Sequence, residues 1–246
     1  MKIADRIHLV GSGQLGFSLT DDFDCHVYLL DGGSEYALID AGGGRNPDAI
    51  LAQIEADGLD RRRIRKLLLT HAHADHAAGT AGLRERLDLE VFASPTAARY
   101  VREGDEGAIS LEAARKAGVY PMDFVFRPCP VDGELPEGAV VRVGDLTLEV
   151  IDTPGHASGH ISFILRRGGQ TSLFCGDCLF FGGKILLQAI WDCSVVDSIR
   201  SVERLAALSI DGFYPGHLSF TVRNGRRQID AALRSIASLV PPPQLL

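Results

Sequence analysis

The sequence predicts an α+β fold, specifically an αββα four-layer sandwich formed as a single domain over residues 1–246. Three observations carry that expectation. Short apolar strands alternate with helical stretches, the strands gather into two halves each flanked by helices, and no low-complexity linker or solenoid-period repeat interrupts them. Two sheets that each need to hide an apolar face are expected to pack against one another with helices outside, one of the few stable layerings.

In the first half, Ile7 to Val10, Val27 to Leu30 and Tyr36 to Ile39 read as strands punctuated by Gly11, Gly13, Gly32 and Gly33. Asn46-Pro47 marks a helix start, with Asn as the cap and Pro at the first helical position. Ile50, Leu51, Ile54 and Leu59 then form an apolar face that ends near Gly58. Ile64 to Leu69 is read as an apolar strand buried on both faces.

In the second half, Val140 to Val143, Leu146 to Ile151, Ile161 to Leu165 and Ser172 to Cys175 are expected strands. A helix over Val195 to Leu208, a short strand at Phe213-Tyr214 and a helix over Arg226 to Ser238 follow, closed by Pro241-Pro242-Pro243. The stretch 97–131 fits least well: glycines and prolines surround one helical piece, Ile109 to Ala117. Long connections are uncommon unless functional, so it is read as an inserted, lid-like segment.

Composition narrows the function classes. A formal net charge of −7 argues against nucleic acid as a partner, because polyanion binding needs a basic surface. The basic run Arg61-Arg62-Arg63, with Arg65 and Lys66, reads as a solvated turn. No stretch is long and apolar enough to suggest a membrane span, and the first residues lack the apolar core of a secretory signal. The five cysteines follow no disulfide framework, which favours a reduced, cytoplasmic protein.

The chemistry is concentrated in Thr70-His71-Ala72-His73-Ala74-Asp75-His76, directly after the strand ending at Leu69. Four metal-competent side chains within six positions of a loop can converge on one point, and imidazole with carboxylate suits zinc, iron or manganese. His156 in Thr153-Pro154-Gly155-His156, Asp177 in Cys175-Gly176-Asp177 and His217 in Tyr214-Pro215-Gly216-His217 share the setting, each at a strand end beside glycine. Of the eight histidines, five lie in these motifs, which is why they are read together as a site rather than as separate turns.

This order, His-x-His-x-Asp-His, Thr-Pro-Gly-His, Gly-Asp and Gly-His, resembles the metallo-β-lactamase-fold metallo-hydrolase superfamily, and within it the glyoxalase II (hydroxyacylglutathione hydrolase)-like branch. Thr153 to Ile161 and Phe174 to Phe180 carry the likeness to that branch. The resemblance implies a metallo-β-lactamase fold with two divalent metal ions, zinc first and iron or manganese as alternatives. It assigns His71, His73 and His156 to one metal, Asp75, His76 and His217 to the second, and Asp177 to both, with a hydroxide bridging the pair.

It further implies hydrolysis of a thioester, ester or lactone of a small acyl substrate, with Asp75 also acting catalytically on the water's proton. Asp40, in Ile39-Asp40-Ala41-Gly42, matches a position that supports the site from behind. His160 reads as a hydrogen-bonded loop residue, and His8 and His26 match nothing. Two alternatives share parts of the pattern: a mononuclear iron persulfide dioxygenase-like oxidoreductase and a phosphodiesterase of the same fold. Three departures bear on a glutathione substrate: one helix and a tail follow His217, with Arg223, Arg226 and Arg227 there; Lys184 is offset from the family's anion-binding lysine; and 97–131 has no counterpart. The oligomeric state is not expressed in the sequence.

Overall fold

The computed structural model describes residues 1–245. One sheet contains β1 (Lys2–Ala4), β2 (Ile7–Gly11), β3 (Val27–Asp31), β4 (Tyr36–Ile39), β5 (Ile64–Leu68), β6 (Glu90–Ala93) and β7 (Gly133–Glu134), in that spatial order. The other contains β8 (Val140–Val143), β9 (Leu146–Asp152), β10 (Ile161–Arg167), β11 (Gln170–Gly176) and β12 (Gly212–Pro215), ordered from β12 at one edge to β8 at the other. The helices are α1 (Pro47–Ala56), α2 (Ala74–Ala77), α3 (Thr80–Arg86), α4 (Pro95–Glu103), α5 (Leu111–Lys116), α6 (Val195–Leu205) and α7 (Arg226–Ala237).

Side-chain alternation along the strands builds the four layers. In β3, Tyr28 and Leu30 point between the sheets while Val27 and Leu29 point to the helices of the first half. In β10, Ile161, Phe163 and Leu165 face the first sheet, and Ile164 packs outward beneath α6 and α7. Strands buried on both faces lose the polar alternation of a half-exposed strand, which is why they read as apolar runs. The αββα expectation is met, with helices covering the outer face of each sheet.

The helix start at Asn46 is built as its residues dictate: the side chain accepts from Ala49 N and Pro47 occupies the first turn. β5 departs from the reading of a strand buried on both faces. Arg65 is exposed and pairs with Asp88 at 2.7 Å, and Lys66 is half-buried against Glu35 at 2.7 Å. Ile64, Leu67 and Leu68 are buried, so only the two charged residues between them break the enclosure. Arg61–Arg63 forms a 3-10 turn capped by Asp60.

The segment 97–131 begins inside an ordinary helix. Ser94 caps α4, accepting from Ala97 N, and Ala97, Ala98, Tyr100 and Val101 are buried in the outer core of the first half. Beyond Gly104 the chain turns over the sandwich edge, with Ile109, Leu111, Phe124 and Phe126 anchored in the same core. Arg115 ties it together, bonding Glu106 at 2.7 and 2.8 Å and donating to the carbonyl of Phe124. Strands β1, β6 and β7 and helices α2, α3 and α4 are further elements that periodicity did not reveal. Among the described residues no helix is long and apolar enough to cross a membrane.

Tyr28 joins the two sheets. It is buried among Phe174 and Tyr214, and its hydroxyl donates to the carbonyl of Pro215 at 2.7 Å. Tyr28→Phe keeps the ring packing but leaves that buried carbonyl unpaired. It is expected to cost about 1–3 kcal/mol in denaturant unfolding, with the slope of the transition unchanged.

Candidate metal centre

Strand direction brings the four motifs to one edge. β9 and β11 both run antiparallel to β10, and β12 runs parallel to β11, so the ends of β9, β11 and β12 lie together. β5 runs parallel to β4 in the facing sheet and delivers His71–His76 to the same place. The stretch expected to be a loop is one only as far as His73, which caps α2, so Asp75 and His76 project from a short helix. Backbone hydrogen bonds lace the loops: Ile161 N to Thr70 O at 2.8 Å, Gly216 N to Gly176 O at 2.7 Å, and His26 N to Gly216 O at 2.7 Å.

Two glycines beside the ligand candidates are required by close approach. A Cβ on Gly216 would lie 2.2 Å from Asp177 Oδ1 and 2.6 Å from His76 Cε1. Gly155 has φ +133° and its Cβ would meet the Ser198 backbone at 2.3 Å. The Gly-His pair at 216–217 therefore reflects space that the clustered side chains need, and the pair at 155–156 the close passage of α6.

His71, His73 and His156 form one group, and Asp75, His76, Asp177 and His217 a second, with the candidate ligand atoms within each group no more than 4.8 Å apart. Asp177 touches both: its carboxylate lies 3.1 Å from His76 Nε2, 3.5 Å from His217 Nε2 and 3.6 Å from His156 Nε2. All seven residues named from the sequence thus converge on one centre.

The hydrogen bonds behind the rings decide which atoms face inward. Asp40 Oδ2 lies 2.8 Å from His76 Nδ1, so Nδ1 carries the proton and Nε2 is left free. Asp40 also accepts from Thr70 N at 2.7 Å and from the Thr70 hydroxyl at 2.9 Å; that hydroxyl in turn accepts from His71 Nδ1 at 3.0 Å, freeing His71 Nε2. His156 Nδ1 donates to Leu186 O at 3.4 Å, and its Nε2 faces His73 Nδ1 at 2.9 Å. His71 Nε2, His76 Nε2 and Asp177 Oδ1 are buried without a hydrogen-bond partner. Orphaned buried acceptors are costly, and this nitrogen and carboxylate set is the one that divalent cations such as zinc take up.

The charges compensate one another. Burial disfavours the charged form of His76, but the carboxylates of Asp177, Asp75 and Asp40 raise its pKa well above the ordinary value. Burial likewise opposes charge on His217, and Asp177 and Asp75 raise its pKa. Burial would raise Asp177 and Asp75, yet the neighbouring His217 and His76 hold both below the usual carboxylate range. In the first group, burial and neighbouring imidazoles push His71 down strongly and His156 down to about 4, leaving neutral ligands.

His160 is spent on structure: Nδ1 donates to Thr153 at 3.0 Å and Nε2 accepts from Asp177 N at 3.1 Å. His8 pairs with Asp57, and His26 with Leu218 O. A third possible group, Cys25, Asp40 and His76, is a poor alternative, since burial pushes the Cys25 thiol up to about 12 and Asp40 is engaged by Thr70 and His76.

Two residues escaped the sequence reading. The Tyr120 hydroxyl donates to Asp75 Oδ1 at 2.9 Å, and Asp192 places a buried carboxylate 3.5 Å from His73 Nε2 while accepting from Ser158 N. Neither sits in a motif; both arrive from segments far away in the chain. A cavity of about 380 Å³ opens onto His73, Asp75, His156, Asp177 and His217, with Tyr120 in its wall. Lys184, Arg223, Arg226 and Arg227 do not line it.

Residues 20–217 match the model of the metallo-beta-lactamase superfamily. A hydroxyacylglutathione hydrolase of Chelativorans sp. is 30% identical over 191 residues, covering 77% of this chain and 60% of the relative. One of Rhodopseudomonas palustris is 31% identical over 230 residues, covering 90% of this chain and 74% of the relative. This chain therefore spans between three fifths and three quarters of the length of these two proteins. Among solved structures, a metallo-beta-lactamase of Cronobacter sakazakii with a HARLDQ motif superposes with a TM-score of 0.70 at 26% identity, over 96% of this chain and 86% of that one. Together with the layer order and the clustered His and Asp side chains, these matches show that the chain belongs to the metallo-beta-lactamase superfamily.

Proposed function

We propose that the protein is a dinuclear metal-dependent hydrolase that cleaves an ester, thioester or lactone of a small acyl substrate. A fold alone does not specify an activity, so the reading rests on the site. The observation that carries it is Asp177, one carboxylate within reach of imidazoles from both ligand groups. His71, His73 and His156 would hold one cation, and Asp75, His76 and His217 the other, with Asp177 shared. Zinc is the ion this ligand set favours; iron and manganese accept the same donors.

Cations held there would supply a water that ionises near neutral pH and positive charge facing a developing oxyanion. The chain's own residues supply orientation. Asp75 is clamped from two sides, by the Tyr120 hydroxyl on Oδ1 and by His217 Nε2 at 2.9 Å from Oδ2. That places a fixed carboxylate beside the cavity, suited to holding the water's proton and passing it to the leaving oxygen or sulfur. Asp40 fixes two ligand rings at once, directly for His76 and through Thr70 for His71. All five cysteines are free among the described residues, which supports a reducing compartment such as the cytoplasm.

Asp177→Ala is expected to lower bound metal and hydrolysis together, read by elemental analysis and by a panel of thioesters, esters and lactones; full turnover at under half the metal content would break the shared-ligand assignment. Asp40→Asn suits the left-handed backbone at this position, φ +62°, while replacing the carboxylate that orients the rings. It should weaken metal affinity or activity roughly 10–100-fold.

Metal uptake should also release protons. His76 and His217 have raised pKa values, so cations must displace their protons, and affinity should fall as pH falls, by about tenfold per pH unit for each proton displaced. Titration of the metal-free protein in buffers of different ionisation enthalpy measures that release, and its absence would contradict the assigned ligands.

A further inference from the structure

The wall of the cavity has a chemical character that the ligand cluster does not dictate. No lysine or arginine lines it, whereas exposed Asp22 and buried Asp24 do, along with the ligand carboxylates. The remaining surface is mostly apolar: Leu15, Ile109, Val119, Leu186, Ile190 and Leu245 contribute.

Helix α5 and its C-terminal cap Ala117 supply one wall. Ala113, Ala114 and Ala117 face the cavity, Ala113 and Ala117 being one turn apart on the same face, while Glu112 and Lys116 pair with each other at 2.6 Å in solvent. Three methyl-sized side chains leave a shallow apolar trough above the cluster. The helix is held by Arg115, bonded to Glu106 and the Phe124 carbonyl, and by Tyr120, which packs on Phe124 and Phe23. The trough is thus a built surface. Leu15 and Val119 are exposed where they line it.

We infer that the substrate carries an uncharged, apolar acyl chain lying along the Ala113–Ala114–Ala117 face of α5, with its carbonyl at the ligand cluster. The inference rests on the hydrolase reading above and names its substrate class. A volume of about 380 Å³ falls at the small end of ligand cavities, which suits a medium-length chain. A glutathione conjugate carries two carboxylates and one ammonium, and would find no lysine or arginine along the wall to pair with its peptide carboxylates.

The test uses the metal-loaded protein with neutral acyl thioesters and p-nitrophenyl esters from acetyl to decanoyl, alongside S-lactoylglutathione. Burying each added methylene is expected to raise kcat/KM about fourfold until the trough is filled. Ala114→Phe should abolish that gain for the longest chains while metal content stays unchanged. A flat or falling chain-length profile, or S-lactoylglutathione outpacing every neutral chain, would overturn the inference.

Calorimetric binding of a non-cleavable octanamide to the metal-free protein separates the two claims. Octanamide binding that Ala114→Phe weakens, with no turnover of any substrate, would retain the trough and remove the hydrolase. Turnover with neither chain-length dependence nor octanamide binding would retain the hydrolase and remove the trough.

Discussion

The structure depends on mutual charge compensation among buried side chains. Asp177 is buried at the meeting of two sheets and is tolerated there because imidazoles from three separate segments surround it. An isolated buried carboxylate would be expensive, and removing its partners would leave that cost exposed. These segments must therefore end where they do, and the strands that carry them must run in compatible directions. β9, β11 and β12 satisfy this from one sheet and β5 from the other.

Asp40 is the second fixed point. It occupies a left-handed backbone conformation at the end of β4, one that few residues other than glycine and asparagine accept readily. From there its two oxygens reach the Thr70 backbone, the Thr70 hydroxyl and His76. Local strain is offset by orienting two rings of the cluster, so a strand-end turn becomes the support of the centre. The same economy appears at Gly216, where the missing side chain leaves room for Asp177 and His76.

Much of this was legible in the sequence because it is local. An apolar run followed by glycine and a ligand-competent side chain states both a strand end and a site, and the four such places hold all seven clustered residues. Features created only by folding were not legible. Tyr120 lies beyond α5 and reaches Asp75 by crossing the sandwich edge, and Asp192 reaches His73 from a loop before α6. Nothing in their neighbours' identities announces either contact. The inserted segment was recognised by its glycines and prolines, but its first residues belong to α4, whose Ser94-Pro95 start lies just outside the chosen boundary. β5 differs in the opposite sense: its apolar residues Ile64, Leu67 and Leu68 are buried, while Arg65 and Lys66 between them reach ion-pair partners at the surface.

Fold, ligand cluster and cavity wall answer separate physical demands. The sheets bury apolar surface, the cluster balances charge, and α5 shapes what can approach. The claim on which the chemistry turns is that two cations sit on either side of Asp177. Anomalous scattering from zinc-loaded crystals tests it directly. The account predicts two peaks, one among His71, His73 and His156 and one among Asp75, His76 and His217, both bordering Asp177. A single peak, or density centred on Cys25, would contradict it.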